Sequence, residues 1–498
     1  MKLIFSVKSF KSLSKPTLSR VLFYSTKPQP LTPNAKKDTL SNRISSLSDP
    51  KISVVPILDQ WVEQGKSIKK DELTEIIKRL KSFKNYRHAL EISKWMADQS
   101  NFPPSAGDFA LRLDLISRIH GIDQADKYFE TIPEQFRVFP VYLSLLNSYA
   151  HGKNVEKAES LMQQMRDLGF ARTTLAYNGL LTLYSRVGES EKLDTLLEEM
   201  KEKGIPPTKH THTLQLINYA AIPDFERMEK VLDIMQVNSN YTMDWNCYAI
   251  AANAYIKASL IDKALEMLQK AEEAVTPRKR KFAYDYILTL YASAGRKEDV
   301  YRIWNKYKST EKIYNTAYRC MLSSLLKLDD IEGAEKILEE WESGDTSYDF
   351  RVPNLVIAYY TKNGSLDKAE MLVNKAIENG NKPFANTWEL LANGYVESNQ
   401  IAKAVDAIKQ GYMTRRVGWK PSREALAVCL GYLKEQGGAE KAEEFVRLLG
   451  APGHMSIDDP ARLLDYIYIF NKDPESGEVV AHNQDDEDTG ILQKIVAT

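Results

Sequence analysis

Cysteine is scarce: 498 residues carry three, Cys247, Cys320 and Cys429, lying 73 and 109 residues apart. None has a second Cys or a His at ligand spacing, which excludes zinc ribbons, Cys-x-x-Cys redox centres and a secreted disulfide framework. A reducing compartment fits this usage. Long apolar runs are lacking too. No uninterrupted stretch approaches the ~18 residues of a membrane-spanning helix, and with 43% hydrophobic and 27% charged residues the chain reads as soluble and folded, without membrane insertion. Net charge is absent as well, 67 basic residues facing 67 acidic ones. The balance conceals an uneven layout.

Residues 1–37 hold eight Lys or Arg, six Ser and no acid, with Leu3, Ile4, Phe5, Val7 and Phe10 between the charges. That is the composition of a transit peptide, which import machinery reads as a basic amphipathic helix. Arg20 and the processing-like run Phe23-Tyr24-Ser25-Thr26 favour the mitochondrion (matrix) over the chloroplast. Cleavage near Ser25 removes five bases and leaves the chain at −5. At the other end, 458–498 carries ten acids against three bases, including Asp485, Asp486, Glu487 and Asp488, and is read as a solvated acidic tail. The body between is nearly neutral, about +2.

The length exceeds three typical domains of ~150 residues, so the chain is either several domains or one repeat array. Self-similarity decides between them. Ala89, Ala125, Ala158, Leu193, Met228, Ala264, Val300, Ala334, Ala369, Ala404 and Ala442 recur at a mean spacing of 35.3 residues. In the clearest repeat, 174–208, Tyr177, Leu180, Leu181 and Tyr184 precede a Gly188 turn, and Leu193, Leu196, Leu197 and Met200 precede Gly204-Ile205-Pro206-Pro207. Apolar residues three and four apart on both halves make two amphipathic helices, punctuated by Gly and closed by Gly and Pro. A single hairpin of this kind cannot bury its apolar faces, so neighbours must stack. The pattern predicts an all-α fold, a right-handed α-solenoid superhelix of about ten to eleven helical-hairpin repeats. These occupy 70–450 and start near 70, 106, 139, 174, 209, 245, 281, 315, 350, 385 and 423, after a capping helix within 50–69. All eleven prolines between 70 and 450 fall, in this register, at repeat ends, first turns or inter-helix turns, where Pro avoids its ~3 kcal/mol cost inside a helix.

Period and residues together resemble the pentatricopeptide repeat family. The likeness is carried by Tyr177-Asn178-Gly179-Leu180-Leu181 and Met200-Lys201-Glu202-Lys203-Gly204-Ile205-Pro206-Pro207, with weaker echoes over 165–170 and 364–369. The tetratricopeptide repeat has a 34-residue period and a recurrent first-helix Trp and Leu-Gly pair, which do not recur here. Further segments, among them Leu58-Asp59-Gln60-Trp61-Val62, Tyr301-Arg302-Ile303-Trp304 and Gly418-Trp419-Lys420-Pro421, resemble a P-class, land-plant mitochondrial subgroup. The resemblance covers roughly 50–450.

Enzymatic chemistry finds no support in the residues. A zinc deaminase module needs His-x-Glu with Cys-x-x-Cys, and neither spacing occurs. About 45 residues follow the last repeat helix, too few for a nuclease domain, and Asp485–Asp488 have no apolar framework to hold a metal. Gly65-Lys66-Ser67 lacks the first Gly of a phosphate loop, since Gln60 stands there. His210 and His212 face different directions with no third ligand. The chain is therefore expected to need no cofactor or metal, to act on no small-molecule substrate and not to be an enzyme. The aromatic residues recur in repeat register, as with Trp304 and Trp341, and are assigned to core packing.

Binding remains. In helical-repeat RNA readers each unit presents two or three side chains to one base. The family resemblance implies that the fifth residue of each repeat and the last loop residue do the reading. The fifth residues are Thr74, Ala110, Leu143, Asn178, Thr213, Ala249, Asp285, Arg319, Asn354, Glu389 and Ala427. Asn178 with Thr208 and Thr213 with Asp244 are the usable pairs, and Asn354 is a further reading candidate. Phe384 and Leu143 depart from the pattern. Two functions follow as expectations: an organellar protein binding single-stranded RNA in a groove during post-transcriptional RNA metabolism, or a protein-binding scaffold within a mitochondrial ribonucleoprotein such as the ribosome. The second draws on the sparse code and the near-neutral body, because Lys and Arg contacts to phosphate ordinarily dominate nucleic-acid affinity.

Overall fold

The computed structural model describes residues 38–47, 52–238, 243–344, 346–415, 419 and 421–449. The leader over 1–37 and the tail over 458–498 lie outside these residues. The described residues form helices and turns with no strand, as an array of hairpins requires. The chain divides into two bodies, Met1–Ser148 and Tyr149–Thr498.

In the first body α1 (Leu40–Ser45) and α2 (Val55–Glu63) precede two helix pairs, α3 (Lys70–Ser82) with α4 (Tyr86–Asp98) and α5 (Ala106–His120) with α6 (Ile122–Thr131). Leu40, Ile44 and Leu58 share one buried cluster with Leu73, Ile77 and Ile92. Polar staples fasten the start of the chain to α4. The Trp95 indole N–H donates to Asp59 (2.7 Å), and the Glu91 carboxylate accepts from both the Ser53 hydroxyl and the Val54 amide (2.9 Å each).

The division falls inside α7 (Phe139–His151), which α8 (Val155–Asp167) follows. The second body then repeats one plan. Its pairs are α9 (Thr174–Val187) with α10 (Ser190–Glu202), α11 (Lys209–Ala221) with α12 (Phe225–Val237), and α13 (Trp245–Lys257) with α14 (Ile261–Glu273). They continue with α15 (Arg280–Ser293) and α16 (Lys297–Thr310), α17 (Asn315–Lys327) and α18 (Ile331–Glu342), α19 (Pro353–Lys362) and α20 (Leu366–Glu378), then α21 (Ala385–Glu397) and α22 (Ile401–Thr414). The hairpin expected from 423 is instead one 27-residue helix, α23 (Arg423–Leu449). The adjacent Gly437 and Gly438, where the repeat register places the turn, cost about 1 kcal/mol each in a helix and do not forbid it. Buried Cys429 and Leu430 before them and Ala442, Phe445 and Val446 after them continue one apolar side.

Turn chemistry follows the same period. The connection inside eight hairpins places one residue in the left-handed region just before the second helix's N-cap: Gly188, Gly295 and Gly364 where glycine is present, but Lys84, Lys153, Ser259, Asp329 and Asn399 where it is not, with φ between 52° and 81°. The α11–α12 connection is an exception, turning through Ile222 at φ −101° and Pro223, whose ring forbids positive φ. All eleven prolines between 70 and 450 lie outside helix interiors; Pro353, for instance, opens α19.

Along the second body first helices pack on first helices, from α9 through α21, whereas successive second helices do not approach closely. The first helices therefore form the inner row of a curved stack. The wider gap between second helices is bridged by charge. Tyr184, Tyr219, Tyr255 and Tyr360 donate their hydroxyls to Glu159, Asp194, Glu229 and Glu335 of the preceding second helix. Lys192, Arg227, Lys263 and Lys368 of the same hairpin as each tyrosine close on those carboxylates at 2.8, 2.5, 2.7 and 3.2 Å. Each cation also lies over its tyrosine ring, between 4.6 and 5.9 Å from the centroid. Where α17 carries Leu325 in place of the tyrosine, Tyr301 and Lys297 meet Asp330 instead (2.7 and 2.9 Å).

Candidate nucleic-acid interface

The fifth residues lie in the first turns of the inner first helices, and the last loop residues Thr208, Asp244 and Phe384 are the N-caps of α11, α13 and α21. Asn178 on α9 and Thr208 at the N-cap of α11 are thereby brought into contact. The Asn178 amide N–H donates to Thr208 Oγ1 (3.3 Å), and Asn178 Oδ1 accepts from the Thr211 hydroxyl (2.8 Å). Thr208 and Thr211 form a capping box with hydroxyl oxygens 3.1 Å apart. If Thr211 donates to Asn178, then Thr208 must donate to Thr211, and the three side chains close a cycle in which each gives one hydrogen bond and takes one. An amide has two N–H groups and two acceptor lone pairs on its oxygen. Asn178, only 7% exposed, keeps one of each outside the cycle.

Beneath this site the Glu199 carboxylate gathers Arg166 (2.9 and 2.7 Å), Lys203 (2.7 Å) and the Tyr177 hydroxyl (2.8 Å). Burial raises its pKa, the three partners together lower it by more, and the net value falls to about 2. Tyr177, the neighbour of Asn178, is thus anchored at both ring and hydroxyl.

Thr213 and Asp244 are not hydrogen-bonded to each other. Thr213 turns back onto its own helix and donates to the Lys209 carbonyl (2.9 Å). Asp244 caps α13 by accepting from the Cys247 amide (3.3 Å) and pairs with Lys209 (3.1 Å). Burial would raise the Asp244 carboxyl, but Lys209 outweighs it and the group is held below its ordinary range. Both side chains flank the Cys247 thiol, which burial first and the Asp244 charge second push up to about 11. Asn354 repeats the Asn178 relation five repeats on, its Oδ1 accepting from Thr387 (2.9 Å). Its loop position, however, is Phe384, which is 39% exposed.

The remaining fifth residues of the second body are chemically mixed. Glu389 accepts from the Trp419 indole (3.2 Å) and the Ser422 amide (3.0 Å), and burial holds its carboxyl above the ordinary range. Asp285 is pushed up to about 6 by burial, against a hydrogen bond with Tyr307 that lowers it, and its Oδ1 is buried without a partner. Arg319 Nε is likewise buried and unpartnered. Trp304 and Trp341 are core, 1% and 2% exposed. Thr211 was not evident in the sequence as a member of the site, because a capping box is signalled by Glu or Gln three residues after the cap and here a threonine stands there. Among the described residues no group of three or more His, Cys, Asp or Glu is placed to hold a metal, and no helix is long and apolar enough to cross a membrane.

A row of inner helices, most offering one polar side chain near the start of the next, defines a helical-repeat binding protein. The PPR repeat family model matches residues 172–219, and the PPR repeat model matches 140–170, 316–345 and 352–381. The chain is 42% identical to the mitochondrial pentatricopeptide repeat-containing protein At2g20710 of Arabidopsis thaliana, over 88% of this chain and 89% of that protein. It is 39% identical to the large ribosomal subunit protein mL101 of the same plant, over 83% of this chain and 84% of the relative. The crystal structure of the pentatricopeptide repeat protein PPR10 from maize superposes with a TM-score of 0.53 at 18% identity, covering 83% of this chain and 62% of that one. The protein belongs to the pentatricopeptide repeat family.

Proposed function

We propose that the protein binds single-stranded RNA along the inner row of first helices and acts in post-transcriptional metabolism of mitochondrial transcripts. The observation that carries this reading is Asn178. Held by Thr208 and Thr211, it retains one N–H and one acceptor lone pair, the pair a base edge needs. Import through the basic leader is part of the reading, supported by relatives whose names place them in mitochondria; no catalytic step is assigned. RNA selection on the purified protein at near-physiological salt should enrich a motif. Asn178→Ala with Thr208→Ala should abolish preference at one nucleotide, an effect of about 1 kcal/mol for a hydrogen bond of ordinary net strength. No enriched motif, with an identical profile for the double variant, would remove this reading.

A second reading, a structural subunit of a mitochondrial ribonucleoprotein, is favoured by the likeness to mL101 and by the acids Asp285 and Glu389 at fifth positions. It predicts co-sedimentation of the protein with mitochondrial ribosomes after nuclease treatment that leaves those particles intact.

A further inference from the structure

Basic residues are spread through a nearly neutral body, with one exception. Between α14 and α15 the chain runs Pro277-Arg278-Lys279-Arg280-Lys281-Phe282, four consecutive cations ending on a phenylalanine. The segment forms a 3-10 turn, Pro277–Lys279, that leads directly into α15. One of the four, Lys279, approaches Asp244 at 3.9 Å. Arg278, Arg280 and Lys281 have no acidic partner among the described residues, nor has Lys312 in the next inter-repeat loop. Lys281 and Lys312 converge on the Tyr314 ring, with Nζ 4.5 and 5.8 Å from its centroid. Phe282 is 75% exposed, and Tyr286, one turn further along α15, is 39% exposed. Elsewhere in the second body the long cations are mostly consumed by the carboxylates between second helices. Here five cations stand among three acids: Asp244, which Lys209 already holds at 3.1 Å, and the half-buried Asp285 and Glu311.

We propose that this patch, Arg278, Arg280, Lys281 and Lys312 around Phe282 and Tyr314, is an anchor for the phosphodiester backbone of single-stranded RNA, separate from base reading at Asn178 and Thr208. The proposal rests on the RNA-binding reading. The chemistry selects a polyanion, because four unpaired cations gain most from closely spaced phosphates whose counterions they release. An open aromatic ring among them selects a single strand, whose unpaired bases present faces for stacking. A duplex hides those faces. The patch reads no sequence, since ammonium and guanidinium contacts to phosphate carry no base information. The array would then hold RNA through one strong electrostatic point and discriminate at another.

The test uses the full-length protein and single-stranded RNA oligonucleotides of several sequences, titrated by fluorescence anisotropy across a range of salt concentrations. The variant with Arg278, Arg280, Lys281 and Lys312 all changed to Gln should bind every sequence at least tenfold more weakly. Its log–log salt slope should flatten by about 2–3, at roughly 0.7 per lost phosphate contact on a single strand. Phe282→Ala should weaken binding about fivefold or more at an unchanged slope. Arg278, Phe282 and Lys312 are exposed and Arg280 and Lys281 half-buried, and an unchanged circular dichroism spectrum and thermal midpoint establish that the variants fold. A wild-type salt slope and affinity in the quadruple variant, with motif selection by Asn178 and Thr208 intact, overturns the anchor and leaves the RNA reading standing. Absence of RNA binding by the wild-type protein overturns both.

Discussion

Two carboxylates on neighbouring parts of the same framework respond to burial in opposite ways, because one has partners and the other lacks them. Glu199 is buried among Arg166, Lys203 and Tyr177 and falls to about 2, so the stability it contributes is present above its unfolded pKa near 4.5 and is lost as pH falls toward 2. Asp285, with an orphaned Oδ1, rises to about 6. Between its unfolded value of 3.8 and that pKa the native state holds the proton more tightly than the unfolded chain, so stability falls as pH rises through the window. Asp285→Asn should therefore stabilise the protein at pH 7–8 by about 1–2 kcal/mol, discounting a two-unit shift for partial solvent access. The gain should vanish at pH 4, and thermal midpoints of both proteins across pH 4–8 check it; an equal gain at all pH values would mean that ionisation is not the cause. The sequence identified Asp285 as a fifth residue but said nothing of this penalty, which depends on what surrounds the carboxyl in space. It did pair Asn178 with Thr208, because repeat arithmetic converts a 30-residue separation into a contact. The same arithmetic sets Thr213 and Asp244 on consecutive repeats, where Lys209 stands between them, its carbonyl accepting from one and its ammonium pairing with the other.

At the level of the hairpin, most turns use a left-handed residue, and glycine is only one way to supply it. Ser259 and Lys153 adopt φ of 59° and 56°, a region that costs a side-chain-bearing residue roughly 1 kcal/mol. Ser259→Gly should raise stability by up to about 1 kcal/mol, and Gly188→Ala should lower it by about the same or more, both read by chemical denaturation. Only the glycine-bearing turns stood out as turns in the sequence; the others are located by period alone. The tyrosines were likewise half legible. Their recurrence marked them as core, and Tyr255 is indeed 2% exposed, but each hydroxyl reaches a carboxylate 25 or 26 residues upstream while a cation stands eight residues downstream. That constant offset is a readable signature of contact between repeats once the period is known. Its parts differ in worth. The hydroxyl of buried Tyr255 makes a charge-assisted bond, so Tyr255→Phe should cost about 1–2 kcal/mol. Lys263 and Glu229 are both largely exposed, so Lys263→Gln should cost under ~1 kcal/mol. A larger loss for the lysine variant in parallel unfolding curves would reverse that assignment.

Across the whole second body, cohesion is local: each hairpin buries its surface against the next, and no single core holds distant repeats together. Such a stack behaves as a chain of nearest-neighbour couplings, in which damage at one interface need not spread. Trp304 provides the probe. It is 1% exposed on α16 and packs edge-on against Tyr318 of α17 at a centroid distance of 5.3 Å, so Trp304→Ala opens a cavity worth about 3–5 kcal/mol between two hairpins. Hydrogen exchange should then show amide protection lost from α15 to α18 and retained in α9 to α12, and thermal unfolding should broaden or split. RNA discrimination at Asn178, three hairpins away, should persist while overall affinity falls with the disordered anchor at 278–314. Uniform loss of protection from α9 to α22 would instead show a single cooperative body, in which base reading and anchoring could not fail separately.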